Sequence, residues 1–390
     1  MTAVLVTWAF LVAGCSAPAP TTPPSQGAAE QVLGRIDAAV RERRPDDFRA
    51  QFATGEEAIG RTAERWWANL AALDVDRFVL TTGPLDQAGT GEITIHWAVP
   101  GDSGTASHTA RFTFRTGPDG ETRVVAAEPA AAPAARPSWW SDTLRVVRQG
   151  HAAVVAADGA DQALVSAWSD RADHAADRVT KALPASMRKG WTGAVVVELP
   201  ADGAGYDRLL GGEPGSHSGY AAVAWAEGLA DPRRERIAVR IVVNPDRAAL
   251  DPRALDLLLT HEVTHLARYD AGSRAPLWLV EGFADQVAYA GSPELRAVAE
   301  RSLRDTVRSA GVPDALPADD AFRRGDLDRA YLLAWSACRL IAERYGEDAL
   351  DRFVTAAGTG EPVDRALRSA TRVGLTEFRA EWIRNLGGLR

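Results

Sequence analysis

The sequence predicts an α+β protein with two folded regions. Helical periodicity that gives way to period-two alternation marks the first region, and runs with helical periodicity fill the last third of the chain. Between the regions, the segment 129–137 contains only Pro, Ala and one Arg, a composition typical of a linker. With 390 residues, of which 46% are hydrophobic, the chain is long enough for two or three domains with cores of their own.

The chain begins with a segment typical of export. An apolar run of about 12 residues ends at Gly14 and is too short to span a bilayer, which favours a removed signal peptide over 1–14 rather than a transmembrane helix. The run continues as Leu-Val-Ala-Gly-Cys15 and resembles the signal of bacterial lipoproteins. This resemblance implies lipidation of Cys15 and anchoring on the extracytoplasmic face of a bacterial cell membrane. Because no Lys or Arg precedes the run, an ordinary buried helix stays open as the alternative.

The first folded region is predicted to span 30–128, after a Pro-rich tether over 15–29. Helices are expected at 30–43 and 61–73, and strands at 77–82, 92–99, 107–116 and 123–127. Helices followed by an antiparallel meander resemble the cone-shaped NTF2-like fold. That resemblance implies a small-ligand pocket, a spacer or a docking module, and the sequence does not choose among these roles.

The second region is predicted to span 138–390. Its first part mixes short strands with helices, and its sequence is helical from about residue 293. The expected strands are 144–148, 152–156, 193–199, 220–225 and 236–244, with a helix at 160–183. The expected C-terminal helices are 293–310, 327–345, 347–356, 363–373 and 376–386.

One helix carries the spacing that predicts a metal site. His261-Glu-Val-Thr-His265 is an H-E-x-x-H sequence, and residues four apart lie on one face of an α-helix, so both imidazoles can bind one zinc ion. Glu262 then projects beside the metal, where it can take a proton from water that zinc has made acidic. Asp251 is a suitable N-cap for this helix, and Pro252 suits its first position. The alternative is a pair of core histidines on an apolar helix.

A second predicted helix supplies the third ligand. Catalytic zinc sites have three protein ligands and an open position for water. Glu281 follows His265 by 16 positions, which is enough for the chain to turn and place a second helix alongside the first. Asp285 lies four residues further on the same face and can orient a zinc-bound His through its far nitrogen. Trp278 and Phe283 surround these acids, so burial beside a cation explains them better than solvation does.

The pairing of His-Glu-Val-Thr-His with Trp-Leu-Val-Glu-Gly-Phe-Ala, beginning at residue 278, resembles the gluzincin zinc peptidases, which have a peptidase MA-like domain. The resemblance extends more loosely from about residue 138 to the C-terminus, and it implies an all-helical subdomain beyond the cleft. No Gly-x-Met-Glu-Asn run is present, so it does not extend to the recognition of a free amino terminus. Carried over residue by residue, it implies Zn²⁺ ligands at His261, His265 and Glu281, a general base at Glu262 and an orienting acid at Asp285.

Two further features follow from the gluzincin resemblance. Family members often supply a Tyr or His that donates to the developing oxyanion, and Tyr331 is the candidate here, with His217 and Tyr220 as alternatives. In the family, a strand before the zinc helix forms the edge of the cleft, where an extended peptide pairs with it. Either 220–225 or 237–243 suits that role, and the sequence leaves this choice open.

The predicted function is zinc-dependent hydrolysis of peptide bonds in a peptide or protein substrate. Two alternatives stay open: a non-catalytic envelope lipoprotein that binds a ligand or partner through the first region, and metal-dependent hydrolysis of a non-peptide amide or ester. The net charge of −8 and the lack of a basic stripe argue against a nucleic-acid partner. Substrate preference and oligomeric state are not encoded in these motifs.

Overall fold

The computed structural model describes residues 23–54, 57–75, 77–129, 135–188, 190–228, 236–270, 272–323 and 326–389. Across these residues the protein has the predicted α+β architecture, with two small sheets and a helical C-terminal region. The signal peptide and Cys15 lie outside the described residues, so the lipid anchor stays a prediction. None of the described helices is both long and apolar enough to cross a membrane.

The first region is an antiparallel meander packed against helices, as its sequence predicts. Its elements are α1 (Gln26–Arg41), α2 (Pro45–Arg49), α3 (Glu57–Leu73), β1 (Arg77–Thr82), β2 (Thr90–Ala98), β3 (Ala106–Thr116) and β4 (Thr122–Pro129). Helix α1 begins inside the predicted tether, because the Ser25 hydroxyl accepts a hydrogen bond from the Ala28 N–H and caps the helix. Helix α2 is absent from the sequence prediction because five residues are too few to show a helical period.

A five-stranded mixed sheet forms the first part of the second region. Its elements are α4 (Ser138–Ser141), β5 (Leu144–Gln149), β6 (Ala152–Ala157), α5 (Gln162–Ala182), β7 (Val195–Leu199), α6 (Gly203–Leu209), β8 (Ala222–Ala226) and β9 (Val239–Val243). The spatial order is β5-β6-β7-β9-β8, so β8 is an edge strand and β9 is internal. Strand β9 is buried along its whole length, whereas most of β8 is half-buried. The segment 220–225, and not 237–243, therefore supplies the exposed edge.

Seven helices complete the described part of the chain. They are α7 (Pro252–Arg268), α8 (Leu277–Ala290), α9 (Pro293–Ala310), α10 (Leu327–Tyr345), α11 (Glu347–Gly358), α12 (Val363–Thr371) and α13 (Leu375–Gly387). Helix α7 begins as predicted, since Pro252 is its first residue and the Asp251 carboxylate accepts hydrogen bonds from the Arg253 and Ala254 N–H groups. These caps fix the start of the helix that carries both histidines.

Helices α8 and α10 approach one another closely at Gly282. A β-carbon at this position would lie 2.4 Å from the Ala334 carbonyl oxygen and 2.9 Å from the Cys338 Sγ, distances at which the atoms overlap. Gly282 directly follows Glu281, so the glycine allows α10 to pack beside the residue that carries the carboxylate. This contact brings Glu281 of α8 and Tyr331 of α10 to one cavity.

The two regions meet through aromatic side chains that follow the predicted linker. Trp139 and Trp140 are buried against Trp66 of α3, with ring centroids 5.7 and 4.4 Å away. The Asn69 Nδ2 donates to the Trp139 carbonyl, and the Asn69 Oδ1 accepts from the Leu144 N–H. The residues directly after the linker therefore belong to the hydrophobic core of the first region.

A buried arginine also joins the two regions. Arg240 on β9 is 1% exposed, and it donates hydrogen bonds to Asp102 of the first region and to Glu198 and Glu227 of the second. Its guanidinium lies 4.0 Å from the centre of the Trp97 ring. Burial raises the pKa of Glu227 from 4.5 to about 8, against the opposing effect of Arg240 and reinforced by Glu198 and Asp102.

Replacing Glu227 by Gln is expected to change how stability depends on pH. Between pH 4.5 and about 8 the folded protein holds a proton on Glu227 that the unfolded chain has released, so the free energy of unfolding falls as pH rises, by up to about 1.4 kcal/mol per pH unit. The Gln variant lacks this titration, and its advantage over wild type should grow from about pH 5 to about pH 8. Urea denaturation at both pH values tests this, with Glu121→Gln at an exposed position as control. Parallel pH profiles for wild type and Glu227→Gln would mean that Glu227 is ionised in the folded protein.

Candidate metal centre

Helices α7 and α8 bring three ligand atoms together. His261 and His265 lie one turn apart on α7, and their Nε2 atoms are 2.9 Å apart. Glu281 of α8 places its Oε2 3.2 Å from the His261 Nε2 and 3.1 Å from the His265 Nε2. These are the three ligand residues that the sequence predicts. Within the described residues, no other group of three His, Cys, Asp or Glu side chains converges in this way.

The arrangement of these atoms fits a zinc ion. Zinc is held tetrahedrally by His nitrogens and carboxylate oxygens at about 2.0–2.2 Å, which places neighbouring ligand atoms about 3.3 Å apart. The three observed separations are only slightly shorter. The His261 Nδ1 lies 2.8 Å from the Asp285 Oδ1, so this nitrogen donates its hydrogen to Asp285 and the Nε2 faces the other two ligands. Three such atoms lie this close together only where positive charge, from a metal ion or a proton, lies between them.

The charges around the cluster favour a cation. Burial lowers the pKa of His261, but Asp285 and Glu281 raise it by more, to well above its ordinary value. Burial raises the pKa of Glu281, but His265 and His261 lower it by more. Carboxylates on two sides of His261 thus stabilise positive charge at this point. Asp285 occupies the orienting position that the sequence predicts.

Glu262 lies beside the cluster and contacts the edge strand. Its side chain is buried, and its Oε2 accepts a hydrogen bond of 2.7 Å from the Ala224 N–H of β8. Burial raises the pKa of Glu262, against the opposing effect of His261 and His265. A raised pKa suits a carboxylate that must take up and release a proton near neutral pH.

A cavity of about 440 Å³ opens over the three ligands. Residues of β8, α7, α8 and α10 line it, and among them are Glu262 and Tyr331. The Tyr331 ring centroid is 6.0 Å from that of His261. Burial, reinforced by Glu281 and Glu262, raises the pKa of Tyr331, so its hydroxyl keeps its proton and can donate a hydrogen bond.

Tyr331 is the best placed of the three candidates for the oxyanion donor. Tyr220 lines the same cavity, but its hydroxyl donates to the Phe322 carbonyl at 3.2 Å. His217 is not among the described residues that line the cavity, and its Nδ1 lies 3.0 Å from the Asp207 Oδ1. Two of the three candidates therefore line the cavity, and the hydroxyl of one of them, Tyr220, already donates to a backbone carbonyl.

Arg268 lines the same cavity, although no motif in the sequence singles it out. Arg268 lies three residues after His265 on α7, and residues at this spacing are neighbours on a helix surface. The spacing alone was a usable signal, because a side chain one turn beyond a ligand lies close to the metal. What the sequence does not reveal is which helices enclose that part of α7.

Comparison with known proteins assigns no family. A scan against protein-family models found no match, and a search of the curated proteins found none either.

The purified protein is expected to bind about one zinc ion per chain, and His265→Ala should lose it. Asp285→Asn should still bind zinc, with an affinity about 10–100-fold lower, because the hydrogen bond that orients His261 loses its charge. Elemental analysis gives the stoichiometry, and competition with a chelator gives the affinity. Asp328→Asn, an exposed position on α10, should match wild type. Equal zinc content in wild type and His265→Ala would show that the ligand assignment is wrong.

Proposed function

We propose that this protein is a zinc-dependent peptidase of the gluzincin type, tethered outside the cytoplasmic membrane by a lipid on Cys15. The placement of Glu262 supports the proposal most strongly. This buried carboxylate lies in the same cavity as three zinc-type ligands and contacts the backbone of an exposed sheet edge. A structural zinc site has four protein ligands and no open position. Three ligands, an open side and a buried carboxylate are the groups that metal-assisted hydrolysis requires.

Each residue has a defined part in the proposed reaction. Zinc, when bound, supplies a Lewis acid that polarises the substrate carbonyl and makes water acidic. His261, His265 and Glu281 would hold the metal, and the cavity beside them would admit the substrate. Glu262 takes the proton from the attacking water and passes it to the departing amine. Tyr331 donates a hydrogen bond to the oxygen on which negative charge develops.

Strand β8 offers a backbone edge along which an extended peptide can bind. The Ala224 N–H points away from β9, since it donates to Glu262. Alternate residues of a strand present their backbone groups to the same side, so Ala222 and Ala226 also direct theirs away from β9, and Ala222 lines the cavity. A peptide that pairs with this edge passes within reach of Glu262, and its scissile bond lies beside the zinc ligands.

For the first region we propose an NTF2-like fold that serves as a docking module. Trp139 and Trp140 lie between α3 and the sheet, where Trp139 contacts Trp97 and Trp140 contacts Phe112, with ring centroids 5.9 and 6.3 Å apart. Side chains that belong to the second region thus fill space that a small ligand would need. This occupancy favours docking over a ligand pocket.

Glu262→Gln is expected to lower peptide hydrolysis by at least about 10²–10⁴-fold while zinc stays bound, because the variant loses the proton acceptor and keeps all three ligands. Cleavage of a peptide library, followed by mass spectrometry, measures the activity, and elemental analysis measures the zinc. Glu294→Gln, at an exposed position on α9, serves as the control. Loss of zinc from Glu262→Gln would contradict its role as base.

Tyr331→Phe is expected to lower kcat by about 10²–10³-fold with little change in KM, because the lost hydrogen bond acts mainly on the transition state. Steady-state kinetics on a peptide cleaved by wild type measures both constants. The matched control is Tyr289→Phe, since Tyr289 packs on Trp335 and is not among the described residues that line the cavity. An unchanged kcat in Tyr331→Phe would move the donor role to another group, with Tyr220→Phe the next variant to measure.

A further inference from the structure

Arg268 lines the cavity and has no ion pair within contact distance among the described residues. It lies one turn beyond His265 on α7, and its guanidinium stacks over the Phe283 ring at 4.6 Å. The Arg268 Nε is buried and has no hydrogen-bond partner.

The acids near Arg268 are engaged elsewhere. Glu281 contacts both histidines, and Glu262 accepts a hydrogen bond from β8. Asp270, at the cavity rim, accepts a hydrogen bond from the Gly272 N–H. Asp351 of α11 acts on Arg268 only from a distance, and burial raises the pKa of Asp351 to about 6. Arg268 is also the only Lys or Arg among the described residues that line the cavity.

An unpaired guanidinium in this position carries an energetic cost. Burial lowers the pKa of Arg268 to about 10, which Asp351 opposes only in part. Contact with Phe283 compensates for this cost only in part, because the attraction between a cation and an aromatic face is weaker than a hydrogen-bonded ion pair. A half-buried guanidinium gains most from a planar anion that can accept two hydrogen bonds from its fork of N–H groups.

We infer that Arg268 binds a carboxylate of the substrate and makes the site selective for anionic peptides. This inference rests on the proposed peptidase function and names the substrate class of the same site. An extended chain advances about 3.3–3.6 Å per residue, and Arg268 lies one helical turn from His265, so the carboxylate belongs within about two residues of the scissile bond. Its source is an acidic side chain or a free C-terminal carboxylate, because both present the same group.

Matched peptides distinguish these two sources. The probes are acetylated alanine-based hexapeptide amides that carry either Glu or Gln at one position, and the same Gln peptides with a free C-terminal carboxylate. The zinc-loaded wild type is expected to favour one carboxylate-bearing series over its neutral partner by about 10–100-fold in kcat/KM, since charge-assisted hydrogen bonds contribute this much. A preference for the Glu series identifies a side chain, and a preference for the free-acid series identifies the chain terminus.

The variant Arg268→Met keeps the apolar contact with Phe283 and removes the charge. We expect the ratio of kcat/KM between charged and neutral peptides to fall to about one in this variant. In Arg268→Lys, which keeps the charge but loses the fork of N–H groups, part of the preference should remain. Arg274→Met is the control, since Arg274 is exposed and is not among the described residues that line the cavity. Its ratio should equal that of wild type. A wild type without preference, or an Arg268→Met variant that keeps it, would overturn the inference.

Peptide binding, measured without turnover, tests the role of Arg268 independently of the proposed peptidase function. Calorimetry of the same peptides with zinc-loaded Glu262→Gln measures selectivity without turnover. Suppose that wild type cleaves no peptide, that Glu262→Gln binds the charged series more tightly, and that adding Arg268→Met to Glu262→Gln removes this difference. The peptidase function would then fail, and the role of Arg268 would stand. If wild type cleaves peptides without charge selectivity, the peptidase function stands and the role of Arg268 fails.

Discussion

The architecture of the site depends on the meeting of α7 and α8, which places three electron-pair donors within 3.2 Å of one another. Such donors repel unless a cation lies between them, so neighbouring contacts must hold them in place. Asp285 fixes the tautomer of His261 from one side, and Gly282 allows α10 to pack against α8 from the other. The positions of the three ligand atoms therefore depend on helix packing, to which residues other than the ligands contribute.

The sheet contributes to the site through the order of its strands. Because β9 lies between β7 and β8, β8 becomes the edge and lines the cavity. Glu262 contacts this edge through the Ala224 N–H, so helix and strand are tied together at the predicted base. The Tyr331 hydroxyl comes from α10, far along the sequence. The five residues of the proposed reaction thus come from α7, α8 and α10, and a single cavity unites them with β8.

Local spacing made much of this arrangement predictable. An i, i+4 pair of histidines specifies one helix face, and the Asp251-Pro252 start specifies where that helix begins, so both could be read from the sequence. The edge strand could not, since 220–225 and 237–243 have similar composition and only sheet order separates them. The sequence likewise did not reveal that Trp139 and Trp140 belong to the core of the first region. Their burial in the first region depends on long-range packing across a linker, which composition does not encode.

Arg240, which is fully buried, and Arg268, which is half-buried, differ in how their charges are compensated. Arg240 is surrounded by three carboxylates and stacks on Trp97, so its charge is more than balanced and the cluster joins the two regions. Arg268 stacks on Phe283 in a similar way, yet its guanidinium has no acid within ion-pair distance among the described residues. Removing an ion from water is costly unless another charge compensates for it. At Arg240 the chain supplies that compensation itself. At Arg268 it does not, and since Arg268 lines the same cavity as the three candidate ligands, the missing negative charge is the part of the site that a substrate is suited to bring.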